Sequence, residues 1–164
     1  MNELCTELQS IWHREIPVAA AMAVEIVGYA DDELVVRAAL APNSNVHGTA
    51  FAGSLYSICA LAGWGVLWLQ FRARNIAADI VLAEGHIRYR KAVAEPIVCR
   101  CRFDAELQVP NLEQLVRTGS GLFPLTCSVI AETRRAVHFE GEYAVKHSLT
   151  GGEAIAAPES AASS

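Results

Sequence analysis

The run from Thr49 to Phe71 carries no charged side chain. As a helix it is long enough to cross a bilayer. It also contains Ser54, Tyr56, Ser57 and three glycines, and strand-like segments flank it on both sides. The reading adopted is therefore a helix over residues 50 to 70 enclosed in a soluble domain, since a helix that is apolar all round belongs in a core. Such a helix needs apolar partners on every side. At 164 residues the chain is one domain, long enough to provide them.

The segments around the run are patterned to cover it. Residues 3 to 15 are predicted helical, with Leu4, Leu8, Ile11 and Trp12 at helical spacing and Pro17 as the stop. Residues 19 to 29 and 33 to 40 read as a hairpin around Asp31-Asp32, with Leu34, Val36, Ala38 and Leu40 on one face. Residues 77 to 91 read as a long strand bent near Gly85. In "PIVCRCRF", Ile97, Cys99, Cys101 and Phe103 alternate with Val98, Arg100 and Arg102. "NLEQLVRTGSG" reads as a short helical or looped link. "LFPLTCSVIAE" and "AVHFEGEYAVKH" read as a hairpin about Arg134-Arg135, with Val137, Phe139, Tyr143 and Val145 facing one way. The Ala, Ser and Gly content after Thr150 predicts a disordered tail, so a single domain is expected over 1–148 and a tail over 149–164. The order predicts an α+β hotdog layout, an antiparallel sheet wrapped around one long helix. Gly53, Gly63 and Gly65 would admit the sheet closely. An open strand edge predicts a homodimer or a dimer of dimers.

Charge is unevenly distributed. Arg72, Arg74, Arg88, Arg90, Lys91, Arg100 and Arg102 outnumber the acidic residues of the middle segment, while both ends of the chain are acidic. A basic patch on an acidic protein suggests an anionic ligand or else a solvated strand face. Nucleic-acid binding would want a basic domain, so no nucleic-acid partner is expected, and no membrane partner. Five cysteines without a C-x-x-C or a zinc-like His spacing predict reduced thiols, no metal and a cytoplasmic protein. His13, His86, His138 and His147 read as structural or exposed.

The turn before the apolar run, "NSNVHGTAFAGS", follows the pattern N-x-N-x-x-x-T-x-F-x-G-S and leads into "AGWGVLWLQ". It resembles the hotdog group built on the YiiD C-terminal domain, whose members are labelled both as thioesterases and as malonyl-ACP decarboxylases. "HIRYRKAVAEP" is similar to the strand end (F/Y)LRPA of hotdog thioesterases, near the phosphates of coenzyme A or phosphopantetheine. Arg90 falls on the family arginine, and Lys91 replaces the usual proline. The resemblance implies a substrate thioester carried on acyl carrier protein or coenzyme A. No cofactor is implied beyond that carrier.

Two chemistries compete. Hydrolysis needs an activated water, and many hotdog thioesterases use a carboxylate of the central helix as the base. By register from Gly53 it would fall near Ala60, yet no Asp or Glu occurs from Ala50 to Gln70. Glu84 across a dimer interface would be a substitute. Decarboxylation of a malonyl thioester needs no base to break the bond. It needs donors for the enolate oxygen, each worth about 3 kcal/mol, and a dry pocket. Asn45 and the amides near Gly53 are the candidate donors, with His47 either donating to the carboxylate or tying the loop. Asn43, Thr49 and Ser54 are further candidate contacts, although Asn43 suits a turn cap and Thr49 a helix N-cap. Arg88, Arg90 and Lys91, helped by Arg72 or Arg74, are expected to hold the anionic end of the pantetheine arm. Ser54, Tyr56, Ser57 and Cys59 form no readable Ser-His-Asp or Cys-His arrangement and read as packing. The leading expectation is malonyl-ACP decarboxylation to acetyl-ACP, which primes fatty acid synthesis. The alternatives are an acyl-CoA or acyl-ACP thioesterase and a catalytically silent acyl-carrier-binding hotdog.

Overall fold

The structure, a computed structural model, describes residues 3–148, and the expected disordered tail lies outside them. Helix α1 (Glu3–Glu15) is followed by a short helix α2 (Pro17–Ala21). Pro17 thus opens a helix where the sequence reading had it only end one. Its missing N–H is no loss in a first turn, and α2 takes the first residues assigned to a strand. Strands β1 (Val24–Ala30) and β2 (Glu33–Ala38) form the expected hairpin. Central helix α3 (Ala52–Ala73) comes next, then β3 (Ala78–Tyr89), β4 (Ile97–Arg102), helix α4 (Ala105–Thr118), β5 (Ser120–Ala131) and β6 (Arg134–His147).

Helix α4 is longer than the link read from sequence. Asp104 caps it by accepting from the Leu107 amide at 3.3 Å, and Gly119 ends it at φ 75°. Pro110 inside it masked the pattern. The β5–β6 turn is Glu132-Thr133, both at positive φ, rather than Arg134-Arg135. The irregularity of β3 is a register shift between Leu82 and Glu84. Gly85 is instead a close-approach site, where a Cβ would collide with the Tyr56 hydroxyl.

The six strands form one antiparallel sheet in the order β1-β2-β4-β5-β6-β3. Its concave face wraps α3 with Val36, Cys99, Leu125, Val129, Phe139 and Val145 among others, all buried. By length and composition α3 could cross a membrane, but here twelve of its residues are buried against the protein. Polar bonds near its middle help to tie it down. Trp64 Nε1 donates to the Ile80 carbonyl at 3.0 Å, and Tyr143 Oη to the Ala60 carbonyl at 3.1 Å.

The Tyr143 hydroxyl fits in the notch left by Gly63, which has no room for a Cβ. Gly63→Ala is expected to lower stability in urea unfolding by about 1–3 kcal/mol, the usual range for overpacking a core. A methyl added at Gly28 meets nothing within 4 Å, so Gly28→Ala should stay within about 0.5 kcal/mol of the parent.

Candidate active site

The turn between β2 and α3 is built by its asparagines. Asn43 is buried, and its Nδ2 donates to the carbonyls of Met22 and Ala39 at 2.8 and 2.7 Å. Both amide hydrogens are engaged inside the fold, the turn-holding role that the sequence also allowed for Asn43, while its buried Oδ1 has no partner among the described residues. Its backbone carbonyl accepts from the Phe51 amide at 2.7 Å, which closes the turn. Asn45 organises the interior of the loop. Its Oδ1 accepts from the amides of His47 and Thr49, and its Nδ2 donates to Thr49 Oγ1 at 3.0 Å. The second Nδ2 hydrogen has only a long contact to the Ala50 carbonyl at 3.4 Å. That is the weaker of the two Nδ2 bonds. Gly48, at φ 72°, permits the reversal. The His47 ring is exposed, and only its backbone joins the loop.

Phe51, not Thr49, is the N-cap of α3, and its side chain caps nothing. Leu55 is the first helix amide with a partner. The amides of Ala52, Gly53 and Ser54 have none among the described residues. Unpartnered first-turn amides at the positive end of a long helix favour an anion or a developing negative charge. Gly53 itself lies under the Phe51 ring, which a Cβ would strike. Ser54 is half-buried, and its hydroxyl has no partner among the described residues.

The Ala50 amide donates to the Val93 carbonyl at 2.7 Å, and this bond brings the segment after β3 against the turn. Between them is a cleft of about 300 Å³ walled by Asn45, Ala52, Leu55, Tyr89, Arg90 and Lys91, with Ala50, Ala92 and Val93 completing it. Tyr89, which the sequence reading missed, donates through Oη to the Ala52 carbonyl at 3.0 Å. Burial pushes its hydroxyl above the ordinary tyrosine range. It ties the strand leading to Arg90 to the first residue of α3.

The cations separate into different roles. Arg90 lines the cleft and has no carboxylate partner among the described residues. Lys91 also lines it but is ion-paired with Glu132. Arg88 lies on the face of β3 turned away from α3, 3.6 Å from Glu140, so it does not share a face with Arg90 as expected. β3 ends at Tyr89, and strand alternation does not carry past it. A hydrogen bond from His138 and then the Arg88 charge hold the Glu140 carboxyl below its usual range. Arg72, paired with Glu7 at 2.7 Å, and Arg74 lie at the far end of α3. That is about 30 Å along the axis, at 1.5 Å per residue, too far to assist within one subunit.

Among the described residues no carboxylate stands on the cleft wall. Glu84 is on the outer face of the sheet, 2.7 Å from His86. Ala60, the position expected for a helix base, borders a small apolar cavity of about 190 Å³ lined also by Ile16, Leu61, Trp64, Leu82 and Tyr143. Cys59 is wholly buried. Its hydrogen bond with Cys99, and then burial, raise its thiol well above the usual range, which makes it an inert thiol.

A curved sheet around a central helix, with a polar turn and a cationic segment at the helix start, defines a hotdog protein of the thioester-handling kind. The chain belongs to the family described as "Putative thioesterase (yiiD_Cterm)", whose model matches residues 5–147. It is similar to a Shewanella oneidensis structure described as a "putative thioesterase", at 38% identity and TM-score 0.81, covering 88% of this chain and 98% of that one. A Chlorobaculum tepidum protein with unknown function is 30% identical with TM-score 0.84, covering 88% and 95%. The E. coli PaaI protein from the phenylacetic acid degradation operon shares the fold, at 13% identity and TM-score 0.61 over 90% and 95% of the two chains.

The unpaired state of Arg90 predicts which cation binds an anion. In calorimetric titration, coenzyme A should bind Arg90→Ala about tenfold more weakly than the parent, as for loss of one charged hydrogen bond. Lys91→Ala and Arg88→Ala should stay within about threefold, because exposed, already paired charges contribute little.

Proposed function

We propose that the cleft binds a malonyl thioester and decarboxylates it to the acetyl thioester, most readily on acyl carrier protein. The observation that carries this reading is the wall of the cleft. It offers uncharged donors, Asn45 Nδ2 and the start of α3 at Ala52 with its open amide, beside one free guanidinium, and among the described residues it holds no carboxylate, while Gly53 and Ser54 of the same turn are not on it.

Such a wall suits bond cleavage without a base. The C–C bond to the malonyl carboxylate breaks, CO2 leaves, and the electron pair moves through the α-carbon onto the carbonyl oxygen. The resulting enolate is stabilised by Asn45 Nδ2 and the helix amides. Water supplies the proton that completes the acetyl group. Arg90 holds the anionic end of the pantetheine arm, and Leu55 and Val93 give the cleft an apolar side. No cofactor takes part. Hydrolysis is the competing chemistry within a thioesterase family, and it requires a water activated by a group that the wall does not carry.

The same reading takes in the wider setting. Among the described residues β3 pairs with β6 alone, so its outer edge is free to pair with a second copy and give a homodimer or a dimer of dimers. All five cysteines are free thiols, which suits the cytoplasm. There acetyl-ACP would serve to prime fatty acid synthesis.

Asn45 supplies the decisive test. Asn45→Ala should lower kcat for CO2 release from malonyl-ACP by about a hundredfold or more. Asn45→Asp keeps the acceptor for the His47 and Thr49 amides, so the turn stays formed, but it removes the donor and adds a negative charge. CO2 release should be lost as fully as with alanine. In a thioesterase the new carboxylate would supply a base, and free thiol from acetyl-ACP would rise. CO2 release by Asn45→Asp at the parent rate would overturn the donor role.

A further inference from the structure

We infer that the β5–β6 turn, through Arg134 and Arg135, is the docking surface for the acidic body of a carrier protein. This inference rests on the thioester reading above. Both arginines are exposed at the start of β6, and neither meets a carboxylate among the described residues. With Arg90 they make three free guanidiniums on two neighbouring chain segments.

The turn is fixed to the cleft by several bonds. The Ala136 carbonyl accepts from the amides of both Arg90 and Lys91, at 2.8 and 3.2 Å. The Glu132 amide donates to a Glu95 carboxylate oxygen at 2.9 Å, and the Glu132 carboxylate pairs with Lys91. Glu132 and Thr133 have φ of 46° and 70°, a tight two-residue reversal that sets Arg134 directly beyond it. The nearby acidic side chains are thus engaged in holding the corner together, and the arginines remain available.

The composition of the surface favours a protein over a free nucleotide. Arg90 alone stands in the cleft wall and suits the phosphate of the arm. Arg134 and Arg135 are not on that wall. They extend the positive charge outward along the sheet end, where an arm lying in the cleft leaves them unmatched. At the turn that walls the same cleft, Val46 and Phe51 are 95% and 55% exposed. Exposed apolar groups on the turn that shares the cleft with Arg90 fit a protein surface carrying acidic and apolar side chains around the attachment point of its arm.

The test titrates holo-acyl carrier protein, bearing phosphopantetheine without an acyl group, and in parallel coenzyme A. For Arg134→Ala/Arg135→Ala, carrier affinity should fall by about tenfold or more and its salt dependence should flatten. Coenzyme A affinity should stay within about twofold, as for a site away from the change. Arg134→Lys/Arg135→Lys should recover most of the carrier affinity, since the charge is kept. Equal weakening of both ligands would overturn the inference, assigning the arginines to the nucleotide phosphates. Unchanged carrier binding would overturn it too, leaving a solvated turn. CO2 release from malonyl-ACP in the same preparations separates the two readings. Arginine-dependent carrier binding without CO2 would sink the decarboxylation and keep the docking surface. CO2 release with an unaltered KM in the double variant would sink the docking surface and keep the chemistry.

Discussion

The burial of α3, twelve of whose 22 residues are packed away from solvent, is the interaction on which the rest of the structure depends. A flat sheet covers one side of a helix, and an ordinary amphipathic helix asks for no more. α3 has no polar stripe to leave in water, so the sheet must curve until its strands flank it. Six strands suffice because α1 and α2 close part of the remaining side, with Trp12 and Leu8 fully buried. The glycines of α3 follow from the same demand. Gly65 has no room for a Cβ against the Trp12 ring, and Gly63 none against Tyr143. Close approach replaces side-chain volume, and the core fills without a polar contact on most of the helix surface.

The cleft is a consequence of how that helix begins. A buried helix must still emerge somewhere, and its first turn lies at the rim of the sheet. Phe51 at the cap position contributes no side-chain acceptor, so the first amides stay open. Nearby, the Asn45 side chain closes the loop but leaves one of its hydrogens weakly held. The Val93–Ala50 backbone bond then draws in the segment bearing Arg90. Donors and a cation thus meet in one place because three chain segments end there. Tyr89 fixes their spacing from the strand side.

Much of this was legible in the sequence, and the gaps have physical reasons. Period-two alternation in β4 and β6 and the uncharged run of α3 identified the layers. The polar turn drew attention to the start of α3, and there Asn45 and Arg90 do line one cleft. Asn43 and Asn45 look alike in sequence, but one side chain turns into the fold and the other edges the cleft, a difference set by the carbonyls of Met22 and Ala39. Arg88 and Arg90 looked like neighbours on one face, yet the strand stops between them. Lys91 looked like a free cation, but its partner Glu132 is remote in sequence. The turn at Glu132-Thr133 lacks the glycine or asparagine that usually marks positive φ, so the reversal was read two residues late. α4 was shortened because Pro110 interrupts a pattern that its cap at Asp104 nonetheless begins.

The tethers at Trp64 and Tyr143 carry a further meaning. A rod coated evenly with hydrocarbon has no preferred azimuth, since rotation about its axis exchanges one apolar contact for another. Two hydrogen bonds to named carbonyls, one from the helix to β3 and one from β6 to the helix, remove that freedom. Gln70 adds a third near the far end by donating to Asp32 at 2.7 Å. Rotating α3 by one residue, about 100°, would break all three. The direction in which the open amides of the first turn point is therefore set by polar pins farther along the helix together with the Tyr89 bond to the Ala52 carbonyl at its start.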